Sequence, residues 1–513
     1  MPFLGSVVKR ALTLRRTLRR VRRTSTAAQM QRKTLIKLLK KARHTAFGKH
    51  YEFDAILAAS KPEKLFQKLV PIHDYESMHA QWWHRSLEGA SDICWPGKIK
   101  YFALSSGTSA ASSKYIPVTN AMIRSMRKTS VRQILSLVHY DFPEELFAKG
   151  VLVLGGSSDL TKVGDYFQGD LSGINQANMP FYVAPFYKPG RQIAKHRDWN
   201  LKLDEIVKKA PEWDIAMLTG VPAWNQMVLE RVIEHYQLNH IHEIWPNLSV
   251  FIYGGVALEP YRKGFDALLG KPIHYLETYL ASEGFVAYQS RPGVKGMELV
   301  LNNGIFAEFI PFNQDHFFPD GRLKPEATAL WIDEVEEGVD YAILLSTNAG
   351  AWRYLIGDTI RFTSLAHKEI IITGRTKHFL SLCGEHLSVD NMNRAVEGLA
   401  KKFNLSMPEF TVMGTQHGSD FGHLWYIGID GPLPDEDVSA DLDALLKAMN
   451  DDYALEREHA LKNLQVRLIP VDWFYDWMRQ QGKMGGQNKF PRVLDAARKQ
   501  DWLTFVEQKS LPV

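Results

Sequence analysis

Tyr101–Thr119 reads YFALSSGTSAASSKYIPVT. An apolar segment, Tyr101–Leu104, runs straight into Ser105, Ser106, Gly107, Thr108 and Ser109, with Lys114 and Pro117 behind them. Small residues let backbone N–H groups and hydroxyls come close to anionic oxygens, and a nearby lysine adds a point charge. A strand ending in such a loop is suited to gripping phosphate. The G-x-x-x-x-G-K-[ST] spacing is absent, so it is not a Walker A loop. A Ser/Thr/Gly-rich run is as often a plain connection, and the rest of the chain has to decide between the two.

Downstream, one pattern recurs. Val151–Leu154 ends in Gly155-Gly156, Asp214–Leu218 in Thr219-Gly220, and Ser249–Tyr253 in Gly254-Gly255. Helical runs follow at Met122–Val138 after the first loop, at Pro222–Tyr236 with proline at the start, and at Pro260–Leu269. Short apolar strands, glycine turns and then helices predict a parallel sheet with crossover helices. Ligands in such sheets bind outside the carboxyl ends of the strands, so the glycine turns are expected to face the site.

Past Ile273 the texture changes. Met297–Ile310 carries Asn303-Gly304 between apolar runs, a hairpin signal, and Tyr341–Ser346, Thr359–Thr363 and Ile370–Thr373 read as further strands. Antiparallel sheet is therefore expected beside the parallel one. After Gly374 a new compact unit begins, with helices at Val389–Phe403 and Ser439–Met449 and strands at Phe410–Met413, Leu424–Ile429 and Leu464–Ile469. The expected fold class is α/β, with a large N-terminal α/β domain of mixed sheets over residues 1–373, a hinge at 374–378, and a smaller, mobile C-terminal α+β domain over 379–513.

The 513 residues exceed one ordinary core, and 45% hydrophobic with 23% charged residues is ordinary globular usage. Cys94 and Cys383 make no framework and no C-x-x-C pair, which suits a reducing compartment, and a soluble, cytoplasmic protein is expected. Net charge is only +5, yet Met1–Tyr51 contains many Lys and Arg and no acidic residue. Such a segment suits a membrane surface, a nucleic-acid arm or an Arg-rich transit peptide. Leu35, Leu38 and Leu39, with lysines between, favour a solvated helix laid on the body of the protein. Membrane-surface contact stays open, and nucleic acid is not expected. Trp82, Trp83 and Trp95 are expected in the core or a pocket wall. His235, His240 and His242 lack the partners of a zinc site and read as surface or helix-end residues.

Four further stretches accompany the first: YLETYLASEG at Tyr275–Gly284, WRYLIGDT at Trp352–Thr359, GRTKHFLSLCGEHLS at Gly374–Ser388 and QGKMGGQNKFPR at Gln481–Arg492. In order and spacing, the chain resembles the adenylate-forming superfamily and, within it, the Gretchen Hagen (auxin-responsive) acyl acid amido synthetases. Ser105–Pro117 is similar to the family's S-S-G-T-S…K…P loop, Tyr279–Glu283 to Y-x-S-S-E, Arg353–Asp358 to Y-R-x-x-G-D, Gly374–Lys377 to the hinge, and Asn488–Arg492 to N-x-[YF]-K-x-P-R. The chain departs from the pattern at Leu355, where the plant proteins carry a second arginine, and at Ala281, which replaces a serine.

The resemblance implies an ATP- and Mg2+-dependent ligase that adenylates a small carboxylic acid and transfers the acyl group to an amine, an amino acid above all. An acyl-CoA ligase and a non-catalytic nucleotide-binding protein of the same fold are the alternatives. It implies that Ser105–Ser109 hold phosphates with Lys114 at the far end. Tyr279 would stack on adenine beside Gly254-Gly255, Glu283 would hold the metal, and Asp358 would accept from the ribose hydroxyls. Arg375 would reach the ribose or α-phosphate. Lys489, with Lys483 as second choice, would bridge carboxylate and α-phosphate. Hinge motion at Gly374, Arg375 and Lys377 would bring that lysine in and out. The acid pocket is expected between the helix after Ser105 and the strand ends near Val221 and Tyr253, and the nearby aromatics suggest an apolar or aromatic acid.

Overall fold

The computed structural model describes the chain apart from residues 1–24, 107–112, 141, 182, 257, 319–320, 377–378, 381, 386, 418–419, 434–436, 481–489, 495 and 511–513. It divides into two compact units, one of Met1–Leu104 with Tyr115–Thr376, the other of Ser105–Lys114 with Lys377–Val513.

Among the described residues, fifteen strands precede Thr376 in the chain. They are β1 (Tyr101–Ser106), β2 (Ser113–Val118), β3 (Gly150–Val153), β4 (Thr161–Val163), β5 (Tyr166–Gly169), β6 (Tyr187–Lys188), β7 (Ile215–Gly220), β8 (Val250–Gly254), β9 (His274–Ala281), β10 (Gly284–Tyr288), β11 (Met297–Leu299), β12 (Ile305–Pro311), β13 (Asp340–Thr347), β14 (Tyr354–Ser364) and β15 (Glu369–Arg375). A small sheet has the order β2-β1-β5-β4, and a large one β12-β13-β14-β15-β11-β10-β9-β8-β7-β3-β6. The pairs from β6 to β9 are parallel and those from β9 to β12 antiparallel. The two textures in the sequence are thus two halves of one sheet.

The hairpin expected at Asn303-Gly304 does not form. Gly304 turns the chain at a φ of 83°, but β11 pairs with β10 and β15 while β12 pairs with β13. The turn chemistry is local and correct. Pairing is decided elsewhere, because β11 is only three residues long and Val300 donates its N–H to Val286. Asn303 instead fastens the turn to the helix Asn120–Ser136, donating from Nδ2 to the Ser125 carbonyl at 2.5 Å and to Thr129 Oγ1 at 2.6 Å.

The helix Ala27–Ala42 opens with a capping box between Thr26 and Gln29. Its Leu35, Leu38 and Leu39 enter the main core with Phe47, Phe53, Phe66 and Trp352. Trp82, Trp83 and Trp95 are in the same core, as expected. Of the three histidines, His235 is exposed in the last turn of the helix Pro222–Tyr236. His242 is not a surface residue: it is buried, with Nε2 2.9 Å from the Leu248 carbonyl and Nδ1 accepting from the Gly270 N–H at 3.0 Å. No helix among the described residues is long and apolar enough to cross a membrane.

In the second unit, a hairpin pairs β16 (Phe379–Leu380) with β17 (Leu387–Ser388). A sheet joins β18 (Ser406–His417) antiparallel to β19 (Asp420–Asp430) and β19 parallel to β20 (Leu461–Pro470). Helices Val389–Phe403, Ser439–Met449, Asp451–His459, Asp472–Gln480 and Ala496–Ser510 complete the unit. Phe474, Trp477, Phe490 and Trp502 form an aromatic cluster with ring centroids 4.7 to 5.8 Å apart.

Candidate active site

Both glycines at the end of β8 are required. A Cβ on Gly254 would lie 2.4 Å from the Thr278 carbonyl, and Gly255 has a φ of 88°. Gly254 is registered to Thr278, so the turn lies directly beside the strand that carries Tyr279.

The centre of the site is Asp358 on β14. Its Oδ1 is 2.8 Å from Arg375 Nε, and its Oδ2 accepts from the Tyr279 phenol at 2.6 Å. Asp358 and Arg375 are registered partners across β14 and β15. Tyr279 comes from β9, four strand steps away in the sheet order. In a flat sheet, those steps would separate the two residues by about 19 Å. A direct hydrogen bond therefore requires the sheet to curl back on itself, with its shortest link at β11. Glu283, in the turn between β9 and β10, is buried beside them.

The electrostatics follow from this packing. Burial raises the Tyr279 phenol well above its ordinary pKa, and the charges of Asp358 and Glu283 raise it further. It is therefore a permanent donor at neutral pH. The Tyr354 phenol is raised in the same way, by burial first and then by Glu283. For Arg375, burial opposes the charge, yet Asp358, Tyr279 and Glu283 outweigh it and raise the guanidinium above its usual value. About a third of its side chain, 34%, stays accessible, so a permanent cation is available to an anionic ligand. His73 forms a bridge to Tyr354 and is kept neutral, burial lowering its pKa to about 4.

Several expected placements change in detail. The Tyr279 ring belongs to a core cluster with Val286, Leu299, Ile343 and Ile360, and its hydroxyl is directed to Asp358. Gly374 and Arg375 end β15, registered to Thr359 and Asp358, so the first part of the expected hinge is held in the sheet. The strand β1 carries Ser105 and Ser106, and β2 carries Lys114. Gly107, Thr108, Ser109, Lys377, Lys483 and Lys489 lie outside the described residues.

For a divalent cation the donor set is small. Among the described residues, no group of three or more His, Cys, Asp or Glu is arranged to hold one. Glu283 has the chemistry that suits Mg2+, which is commonly held by one or two carboxylates beside substrate phosphates. One cavity in the first unit, lined by Gln176, Met179, Tyr187, Lys188 and Arg191 among others, lies at the β6 edge and includes none of the residues that the motifs single out.

Two residues escaped the sequence reading. Tyr354 stands inside a quoted motif without a role. Glu308 is buried opposite Arg353, both carboxylate oxygens 3.1 Å from its Nε. A lone carboxylate in the apolar run IFAEFI was the available signal, since a buried charge needs a partner.

The fold is that of acyl-activating ligases. It aligns with the solved structure of the GH3.15 acyl acid amido synthetase over 96% of this chain and 95% of that one, at a TM-score of 0.58 and 17% identity. It also aligns with 2-hydroxyisobutyryl-CoA ligase, solved with 2-HIB-AMP and CoA, over 93% and 92%, at a TM-score of 0.55 and 14% identity. The models of the GH3 family N-terminal, central and C-terminal domains match residues 19–164, 298–372 and 390–498. The chain belongs to the GH3 family. Among curated relatives it is similar to indole-3-acetic acid-amido synthetase GH3.2 of Arabidopsis thaliana, 26% identical over 32% of this chain and 31% of that protein. It is also similar to jasmonoyl--L-amino acid synthetase JAR4 of Nicotiana attenuata, 28% identical over 50% and 45%. The matches span less than half the length of these relatives.

Proposed function

We propose that the chain is an ATP-dependent acyl acid amido synthetase, joining a small carboxylic acid to an amino acid in the cytoplasm. The observation that carries this reading is the convergence of Tyr279, Glu283, Asp358 and Arg375, residues from separate motifs, around one partly accessible guanidinium. Family membership supports the amide product. Cys94 and Cys383, both free and buried, suit a reducing compartment.

The first half-reaction must bring an anionic carboxylate up to the α-phosphate of a polyanion, so fixed positive charge has to offset repulsion as the transition state forms. Arg375 supplies one such charge. Asp358 and Tyr279 hold it in place, and the carboxylate retains lone pairs for ribose hydroxyls. Glu283 would hold Mg2+, which when bound neutralises phosphate charge. The loop at Ser105–Ser109 with Lys114 is assigned to the phosphates, and Lys489 to the cation that bridges carboxylate and α-phosphate. The carboxylate oxygen bonds to the α-phosphorus as the α–β anhydride breaks and pyrophosphate leaves; the neutral amine then attacks the acyl carbon, gives up a proton to solvent, and AMP departs.

The test is acid-dependent ATP–pyrophosphate exchange over a panel of apolar and aromatic carboxylic acids, each repeated with pooled amino acids and with CoA, products followed by mass. An acyl-amino acid is the expected product. A thioester formed only with CoA would move the assignment to acyl-CoA ligase, the second chemistry found on this fold. Lys489→Ala and Arg375→Met should each suppress exchange by about a hundredfold or more. Exchange in both variants at the wild-type rate would remove the residues from the mechanism.

A further inference from the structure

The helix Ala27–Ala42 has two faces with different commitments. Leu35, Leu38, Leu39 and Ala42 are sealed in the core. Lys33, Lys37, Lys40 and Lys41 are exposed, and their spacing puts them on one stripe of the helix, where residues three and four apart are neighbours. Neighbouring basic residues are paired: Arg32 with Glu63, and Arg43 with Asp54. Among the described residues, none of the four lysines forms an ion pair. The stripe follows directly on an acid-free arm carrying Lys9, Arg10, Arg15, Arg16, Arg19, Arg20, Arg22 and Arg23.

We infer that this lysine face docks the protein onto an anionic lipid bilayer surface. The contact is peripheral. The helix cannot insert, because its apolar face is already occupied by the core, so the described part of the surface contributes charge alone. Ahead of the helix the sequence interleaves Phe3, Leu4, Val7, Val8, Leu12, Leu14, Leu18 and Val21 with the basic residues. That interleaving favours lipid over nucleic acid, which gains nothing from aliphatic residues. The exposed stripe offers no arginine fork to read base edges and no aromatic ring to stack on bases. A lysine beside an anionic leaflet strengthens binding about fivefold, and four in a stripe act together. The effect is screened by salt.

The experiment is co-sedimentation of the full chain with vesicles of phosphatidylcholine, with and without phosphatidylserine, at low and physiological salt. Binding is expected only to the vesicles containing phosphatidylserine, and should weaken as salt rises. The variant K33E/K37E/K40E/K41E should lose affinity roughly a hundredfold or more with an unchanged melting profile. K208E/K209E, at the end of the helix Trp199–Lys209, changes net charge elsewhere and should bind as wild type. Equal losses in the two variants would mean general charge attraction and would overturn the docking face. So would undiminished binding in the fourfold variant, or tighter binding of duplex DNA than of anionic vesicles at matched salt.

Discussion

Arg353 has a φ of 42°, a conformation that side chains other than glycine adopt at a cost. It stays there because its guanidinium is fully engaged. Nε is 3.1 Å from both Glu308 oxygens, and Nη1 donates to the carbonyls of Gln67 at 2.9 Å and Val70 at 2.7 Å. Its own N–H donates to Ser346 Oγ and its carbonyl accepts from His73 N–H. The residue thus pins β14 at its start, a few positions before Asp358. Arg353→Ala leaves the Glu308 carboxylate buried without a counter-charge, held only by the Gln67 amide at 3.0 Å, which should destabilise by about 3–5 kcal/mol. The double variant Arg353→Met/Glu308→Leu should recover most of that. Urea titration monitored by tryptophan fluorescence reads both, and a double variant as unstable as the single one would show that the ion pair is not the cause. The sequence showed Arg353 as a motif member and nothing of its structural duty, because its partner is 45 residues away.

The helix Asn120–Ser136 buries a seam of polar side chains, which its sequence alone would place in solvent. Thr129, Gln133 and Ser136 are buried with Met122, Ile123 and Met126. Gln133 Nε2 donates to Thr278 Oγ1 at 2.7 Å, one residue before Tyr279, and Asn348 Nδ2 donates to Ser125 Oγ at 2.7 Å. Together with Asn303 these bonds fasten the helix to β9 through Thr278 and to the turns that follow β11 and β13. Asn303→Ala removes two of them and should cost about 1–3 kcal/mol, whereas Gln133→Leu should add a shift of the Tyr279 hydroxyl, seen as a raised KM for ATP with little change in melting temperature. An unaltered KM would confine Gln133 to a packing role. At this scale the strands and helices were legible because periodicity and glycine turns are local signals. The missing hairpin was not, since pairing depends on which partner offers the longer ladder.

Over the whole chain, a buried carboxylate in the second unit and a buried lysine in the first each make stability depend on pH. In the second, Glu385 is buried with Oε1 2.9 Å from His423 Nε2 and Oε2 accepting from the N–H groups of Leu382, Cys383 and Gly384. Burial alone would raise its pKa, but the His423 bond and charge and those N–H donors outweigh it and hold it at about 2. A depressed carboxylate stabilises above its unfolded value, near ~4.3, and that stability drains away as pH falls toward the folded one. In the first unit, burial lowers Lys202 to about 8, with its ammonium donating to the Gly155 carbonyl at 3.2 Å. Below that pH the buried charge is a penalty. From about 8 up to the unfolded value near ~10.4, the unfolded chain binds more protons and stability rises with pH. Glu385→Gln should reduce the acid limb of a stability–pH curve below about pH 4, leaving the loss between about 6.5 and 4 that the buried His73 causes, and Lys202→Met should flatten the alkaline limb, each leaving the other limb's remainder unchanged. A wild-type acid limb in Glu385→Gln would place that dependence elsewhere. The architecture of both units was readable from the order of strands and helices. The curl of the large sheet was not, because no local signal records that β9 and β14 meet.

That curl gives the site a history as well as a geometry. Tyr279 and Asp358 are 79 residues apart, and the loop between them contains β10 to β13 and ends in the strand that must close it. Contacts of such long separation form late, after the entropy of the intervening chain has been spent. On a growing chain, which emerges from its N-terminus, the Arg375 pair is completed only after the whole large sheet has been synthesised. The proposed nucleotide affinity of this site is therefore a property that no partly made large sheet possesses, because the Asp358–Arg375 pair exists only once β15 has joined β14.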